Sequence, residues 1–386
     1  MPSIPQVQRE AAAAMPEWSN PKWKLSELKL EGNTGSISPG SLGWLKPLPA
    51  TATDEELRRE FEDKGVVHVK GAMPRDFVLA MRKRYFEHLA PCGLLKEGTD
   101  PVQGIFRGGD PDEFVGPDAA KYISADMERS QYARLVLESY SAEWTDAFSS
   151  NQHLFHMVRR MHPEWTSPFV FRRQLIRTNL PSSTGTATGV HYDHIFLRDG
   201  PPTALTAWVP IGDCSPINGG LMYLEDSVGV GKAIEEEFTR QGEEKGFSKE
   251  DATYAFNSNM LTNGMLSYNA GEFGQDAGGG SRWLIGDYEA GDIVFHHSCE
   301  RAVIRWLYPN PPNNCEAPSF LMAEDTAENP DHPLIPDFFS DMIHASSSNR
   351  DPSGHIRLSV DLRFADRDRP HDARWDRGPF AVDDGL

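Results

Sequence analysis

Residues 190–199 read VHYDHIFLRD. His191 and Asp193 are two apart, so on an extended strand both side chains leave the same face. An imidazole and a carboxylate presented together, completed by a histidine from elsewhere in the chain, make a 2-His-1-carboxylate facial triad. That donor set suits Fe(II) and leaves three coordination positions open. With 13 histidines in the chain, about one His-x-Asp is expected by chance, and a hydrogen-bonded strand histidine is the plain alternative. The second histidine has three candidates. GDIVFHHSCERA at 291–302 offers His296 and His297, and DMIHASSS at 341–348 offers His344. Neighbours on a strand point to opposite faces, so at most one of His296 and His297 reaches a shared site. By the same rule His194 faces away from His191.

The elements that must position these groups are mostly strands. Ile356, Leu358, Val360, Leu362 and Phe364 alternate with Arg357, Ser359, Asp361 and Arg363, a period of two over nine residues. Arg357 offers a planar fork matched to a carboxylate. It sits on the polar face of an otherwise apolar strand, as a side chain aimed into a cavity would. Upstream, Phe169-Val170-Phe171 and Leu175-Ile176 read as one strand, Leu205 to Ile211 as another carrying Trp208, and Gly220 to Leu224 as a third. Asn218-Gly219-Gly220 reads as a turn with a backbone role.

Before the strands come helices. Thr53-Asp54-Glu55-Glu56 is a capping box that opens a helix bearing Leu57 and Phe61, stopped by Gly65. A short strand follows at Val66–Val69. Pro74 sits in the first turn of a second helix with Phe77, Met81, Tyr85 and Leu89 four apart. Helices followed by many short strands indicate an α+β protein built around a β-sandwich or barrel. Residues 1–50, rich in Pro, Ser and Gly, read as an arm wrapping the fold. Residues 51–386 read as a single domain. Residues 227–270 form a helical insertion, with Ser248-Lys249-Glu250-Asp251 as a second capping box.

Composition limits the function classes. The chain has 386 residues and a net charge of −19, whereas nucleic acid and anionic membrane surfaces select clustered Lys and Arg. The expected partner is a small molecule. No apolar run approaches the ~20 residues of a membrane span, and the N-terminus lacks the pattern of a secretory signal. Four cysteines without a CxxC pair fit reduced thiols in the cytoplasm. The sequence carries no signal for an oligomeric state.

The ordered set is His191-x-Asp193, Trp208, Asn218-Gly219-Gly220-Leu221, the strand opened by Gly291-Asp292, His344 in MIHAS, and Arg357 in IRLSVDLRF. It resembles the phytanoyl-CoA dioxygenase family of iron(II)- and 2-oxoglutarate-dependent oxygenases, most of all its fungal natural-product branch. The resemblance covers roughly residues 55–380, from EFEDKGVVHVKGAMPRDFVLAMRKR to DLRF and DDGL. It implies a double-stranded β-helix, a distorted jelly roll. It implies that His191, Asp193 and His344 are the iron ligands. Arg357 would clamp the distal carboxylate of 2-oxoglutarate, with Ser346 and Trp208 on positions lining the co-substrate pocket. The arginine stands thirteen residues after the histidine (357 − 344), slightly more than the family spacing. Where many fungal relatives carry a glutamine that touches 2-oxoglutarate, Thr188 stands here.

One segment interrupts this pattern. If GDIVFHHS ran straight into MIHAS, a normal strand would end on the distal ligand, but residues 299–341 intervene. Cys299-Glu300 can be encoded with GTGAG, a usual splice donor. Asp337–Asp341 can be encoded with a pyrimidine run, CAG and AY. Splicing would then join a tyrosine codon and give GDIVFHHSYMIHASSSN. The sequence reading is therefore a translated intron inside a core strand, and the alternative is a genuine insertion packed as a surface flap.

The expected function is oxidation of a small organic molecule with Fe(II), 2-oxoglutarate and O2. Hydroxylation is the default outcome, with desaturation, epoxidation or ring rearrangement set by substrate placement. Asp193 argues against a halogenase, which needs that coordination position for halide. A cupin-like lyase or isomerase, and a non-catalytic product of the interrupted strand, are the competing readings. Residues 100–125 and 227–270 are expected to line the substrate pocket.

Overall fold

A computed structural model describes residues 18–115, 130–183, 185–201, 203–248, 264–276, 279–297 and 342–378. The segment 299–341, the second capping box beyond Ser248, residues 1–17 of the arm, and residues 116–125 and 249–263 of the expected pocket lining lie outside the described residues.

Chemistry at the chain's start follows the local rules. Thr53 caps α1 (Asp54–Lys64) with a reciprocal capping box to Glu56, and Gly65 ends it with φ 72°. Pro74 is the N-cap of α2 (Arg75–Leu89), one position earlier than the sequence suggests. Helices α3 (Asp112–Val115), α4 (Gln131–Tyr140), α5 (Glu143–Ser149) and α6 (Gln152–Met161) follow. A longer helix, α7 (Val228–Glu244), occupies the first part of the expected helical insertion.

In chain order the strands are β1 (Leu30–Glu31), β2 (Ser36–Ile37), β3 (Leu42–Trp44), β4 (Pro47–Pro49), β5 (Val66–Lys70), β6 (Pro168–Val170), β7 (Leu175–Asn179), β8 (Leu205–Pro210), β9 (Leu221–Leu224), β10 (Trp283–Ile285), β11 (Ile293–His297), β12 (His344–Ser346) and β13 (Arg357–Asp366). A seven-stranded sheet has the order β4-β5-β11-β8-β13-β6, with β7 also paired to β13, and a four-stranded sheet has the order β12-β9-β10-β3. β1 and β2 pair separately.

The period-two pattern decides what each face meets. Leu358, Val360, Leu362 and Phe364 of β13 pack with Ala207 and Val209 of β8 and Phe295 of β11 against the helices, through Leu57, Met81, Tyr85, Leu154 and Val158. The opposite face of the large sheet turns toward the small sheet. Trp208 and Val294 meet Leu221, Tyr223 and Leu284 there. All ten residues of β13 are buried, so its polar face of Arg357, Ser359, Asp361 and Arg363 lies inside the protein.

Three expectations change. Phe169–Ile176 is not one strand: β6 and β7 pair separately with β13, and between them Arg173 N–H donates to Trp375 O. The arm is more than a wrapping, since β3 pairs with β10 and β4 with β5, both in parallel, so its strands join both sheets. The interrupted core strand is corrected too. GDIVFHH and MIHAS are separate strands, β11 in the large sheet and β12 in the small one. Segment 299–341 thus falls between elements, where insertions leave strand pairing intact.

Leu362 is fully buried under the helices, whereas Thr53 satisfies one exposed helix end. Leu362→Ala is expected to cost about 2–5 kcal/mol and Thr53→Ala about 1 kcal/mol, read by urea denaturation. Equal losses would contradict the placement of the core on that face.

Candidate metal centre

The small sheet continues past β12 through one bridge. His191 and His344 exchange backbone hydrogen bonds, 3.0 Å from His191 N–H and 2.8 Å from His344 N–H. This pairing sets the two imidazoles side by side, with ring centroids 4.2 Å apart. The extended backbone ends at Tyr192, and Asp193 opens a 3-10 turn, Asp193–Phe196. The strict strand geometry expected for His191-x-Asp193 is therefore broken, yet the side chains still converge. One ligand atom from each of His191, Asp193 and His344 lies within 4.8 Å of the others, and all three residues are buried.

Each histidine is held in one tautomer. Nδ1–H of His191 donates to Gly189 O at 2.9 Å, and Nδ1–H of His344 donates to Met342 O at 2.9 Å. Both Nε2 lone pairs are left for the centre, the arrangement that metal-ligating histidines adopt. They face Asp193 Oδ1 at 3.9 Å and 3.8 Å.

Asp193 is held on both oxygens. Oδ1 accepts from Arg363 Nη2 at 2.7 Å and Oδ2 from Thr206 Oγ1 at 2.5 Å. Burial alone would raise its pKa, but Arg363, with His296 and His344, outweighs this and holds it well below the usual carboxylate range. Burial pushes His191 down to about 4, and burial, with His191 and His296 beside it, pushes His344 well below its usual range. The centre is thus one carboxylate and two neutral imidazoles, donors that fit a divalent cation.

Of the other histidine candidates, His296 also reaches the centre. His296 points inward, with Nε2 3.4 Å from Asp193 Oδ2 and its ring 4.5 Å from that of His344. Tyr223 OH lies 3.3 Å from its Nδ1. His297 points outward and stacks on Phe61 at 3.9 Å. His194 is buried beside the motif, outside the three-residue cluster, and burial pushes it down to about 3.

Arg357 is buried at the other end of the polar face. Its Nε donates to Gly219 O at 2.9 Å and its Nη1 to Ser359 Oγ at 2.7 Å. Nη2 has no hydrogen-bond partner among the described residues. A buried guanidinium that lacks a carboxylate on its open edge fits an incoming carboxylate. Gly219 has φ 79°, and a Cβ there would lie 2.3 Å from Asn179 Nδ2, so the carbonyl that orients Arg357 requires glycine. Trp208 lies on the same inner face, fully buried, its Nε1 without a partner among the described residues. Ser346 Oγ accepts from Thr188 N–H at 2.7 Å.

Thr206, Ser359 and Arg363 were not singled out from the sequence as site residues, and His296 was weighed there only as an alternative distal ligand. Ser359 and Arg363 share the alternation that exposed Arg357, and Thr206 stands two before Trp208, so the strand period was the available signal.

His191, His194 and His344 bind protons less readily folded than unfolded. Between about pH 6.5 and about pH 4 the unfolded chain therefore holds more protons, and stability falls as pH is lowered through that window. Urea midpoints of metal-free protein measured across it should fall with pH, and His191→Gln should flatten the slope. A slope unchanged by that substitution would contradict the placement.

Comparison with known proteins gives three results. A family model described as phytanoyl-CoA dioxygenase matches residues 61–299, well over half of the chain. The match ends where segment 299–341 begins, before His344 and Arg357. No curated protein matches the chain. Solved structures with a similar course include the epimerase SnoN in complex with Fe3+, alpha ketoglutarate and nogalamycin RO, at 15% identity and TM-score 0.38 over 81% of this chain and 83% of that one. They also include the alpha ketoglutarate dependent carbocyclase SnoK from nogalamycin biosynthesis, at 16% identity and TM-score 0.37 over 83% and 87%. The non-heme monooxygenase ThoJ matches at 13% identity and TM-score 0.36 over 80% and 77%.

Proposed function

The chain belongs to the phytanoyl-CoA dioxygenase family, the non-haem iron, 2-oxoglutarate-dependent oxidoreductases, and from that premise we propose that it oxidises a small organic molecule of secondary metabolism, by hydroxylation as the default outcome. The observation that carries the reading is the convergence of His191, Asp193 and His344, with Arg357 on the same inner face.

The strand order supports the finer architecture. β8, β11 and β13 enter the large sheet, and β9, β10 and β12 the small one. From β8 to β13 the chain crosses between the sheets at every connection but β9–β10, a crossing order that fits a double-stranded jelly roll. Residues 51–386 act as one catalytic domain in this reading, with 227–270 an insertion.

Bound together, iron, 2-oxoglutarate and O2 supply oxidation of an unactivated C–H bond, with release of CO2 and succinate. The chain's own residues prepare the ground. His191 and His344 present Nε2, and Asp193 presents Oδ1, as the three ligands. Arg357 takes the distal carboxylate of 2-oxoglutarate on Nη2. Ser359 Oγ accepts from Arg357 Nη1, which leaves its hydroxyl hydrogen to donate to the same carboxylate. Trp208 and Ser346 form walls of that pocket, and burial of every member keeps water out of the gap. Among the described residues no helix is long and apolar enough to cross a membrane.

Anaerobic addition of Fe(II) and 2-oxoglutarate should produce a visible metal-to-ligand charge-transfer band. His191→Ala, Asp193→Ala and His344→Ala should each abolish it, and no band in the unaltered protein would sink the oxygenase reading. Arg357→Gln loses a charged hydrogen bond of about 1.5–3 kcal/mol. The 2-oxoglutarate concentration needed to develop the band should rise about 10–100-fold, while metal binding is retained.

The same titration tests segment 299–341. Because it joins strands of different sheets, replacing it by a single tyrosine should leave the band in place, and the full chain should show it too. A band only in the shortened protein would favour the retained-intron reading over an insertion outside the site.

A further inference from the structure

We propose that the C-terminal turn, residues 372–376, belongs to the metal centre: it holds Arg363 in place, and Arg363 is the positioning residue that fixes Asp193 and draws electron density from its coordinating oxygen. This rests on the reading of His191, Asp193 and His344 as the iron ligands.

Arg363 is as buried as Asp193, with both side chains 2% exposed. Its Nη2 donates at 2.7 Å to Oδ1, the same oxygen that faces both histidine Nε2 atoms. A carboxylate oxygen has two acceptor directions, so the guanidinium and a metal can share Oδ1. Thr206 occupies Oδ2. The carboxylate is therefore held in orientation before any cation arrives.

One hydrogen bond does not orient a guanidinium, and Nε and Nη1 of Arg363 have no hydrogen-bond partner among the described residues. Trp375 supplies the second constraint. The Arg363 guanidinium carbon sits 4.5 Å from the Trp375 ring centroid, a cation–π contact strengthened by burial. Trp375 is itself tied down. Its Nε1–H donates to Phe196 O at 3.0 Å, its carbonyl accepts from Arg173 N–H at 3.0 Å, and the Arg173 guanidinium lies 5.5 Å from its ring.

The rest of the turn is anchored on the motif loop. Asp372 accepts from Arg374 Nε at 2.9 Å and from Asp199 N–H at 3.2 Å. A Cβ on Gly200 would lie 2.4 Å from Asp372 N, so this approach needs glycine. Phe196 takes bonds from both Arg374 and Trp375, and its ring meets that of His191 edge-on at 5.9 Å. One turn thus reaches both members of the motif: His191 through Phe196, and Asp193 through Arg363.

A purely structural role, balancing a buried charge, would act on stability alone. A permanent cation on the coordinating oxygen also weakens that oxygen as a donor. Bound Fe(II) then gives up electron density less readily, and the charge-transfer band lies at shorter wavelength than it would without Arg363.

The test uses the full chain with Fe(II) and 2-oxoglutarate under anaerobic conditions, and Co(II) alone as a second probe. Arg363→Gln should move the band to longer wavelength and alter the Co(II) d–d spectrum. Trp375→Leu should move the band the same way by less, and Trp375→Phe should restore its position. The Arg363→Gln/Trp375→Leu double variant should shift no further than Arg363→Gln alone, because both act through one interaction. Should the glutamine variant not fold, Arg363→Lys replaces it: charge without the fork should give a smaller shift in the same direction. Folded variants with bands at the original wavelength, or shifts that simply add, would overturn the proposal. Unaltered protein that takes up neither Co(II) nor Fe(II) would instead sink the ligand assignment beneath it.

Discussion

The two faces of β13 impose the constraint on which the rest of the structure depends. The strand is buried on both sides, yet one side carries two arginines, an aspartate and a serine. A buried ion left without a partner costs several kcal/mol, so each must be met inside. Arg357 is met by Gly219 O and Ser359, Asp361 by Arg177 at 3.1 Å, and Arg363 by Asp193. The space between the sheets is consequently lined by these paired polar groups along β13. The apolar residues between the sheets, among them Trp208, Tyr223, Tyr288 and Leu284, border these groups, with Trp208 directly opposite Asp361. The large apolar core lies instead under the helices.

Preparation of the centre follows from the same burial. Two carbonyls fix the imidazoles in one tautomer, and low proton affinity keeps both neutral. Arg363 and Thr206 hold the carboxylate ionised and oriented. Little has to rearrange when a cation enters, which is how a site on rigid elements gains precision. The carboxylate sits on a 3-10 turn, the least regular of the three supports, and receives the most side-chain reinforcement.

Much of this was legible in the sequence because the strand period is short. Nine alternating residues announced β13 and set Arg357 apart from its apolar face, and the spacing of His191 and Asp193 announced the motif. Periodicity does not distinguish a strand that continues from one that turns a corner into another sheet. GDIVFHH and MIHAS are both fully buried, so they read as one piece. The reach of Arg363 to Asp193 and of Trp375 to Arg363 was invisible for another reason: these contacts join β13 to the motif loop and to the C-terminal turn, and no local pattern encodes such pairings. The arm's short strands at the sheet edges carried too few residues for any period to show.

The pairing of β13 has a consequence for how the centre comes apart. β13 is bonded to β8 on one side and to β6 and β7 on the other, and is sealed on both faces. Its amides should exchange with deuterated solvent only when the whole domain opens. β12 has three residues at the end of its sheet, secured outward by the bridge to His191 and by the bonds between Ser346 and Thr188. Local opening there releases His344 while Arg357 and Arg363 stay in place. The site is thus built on the most deeply paired strand and on the end strand of the smaller sheet, and warming is expected to free His344 before it frees either arginine.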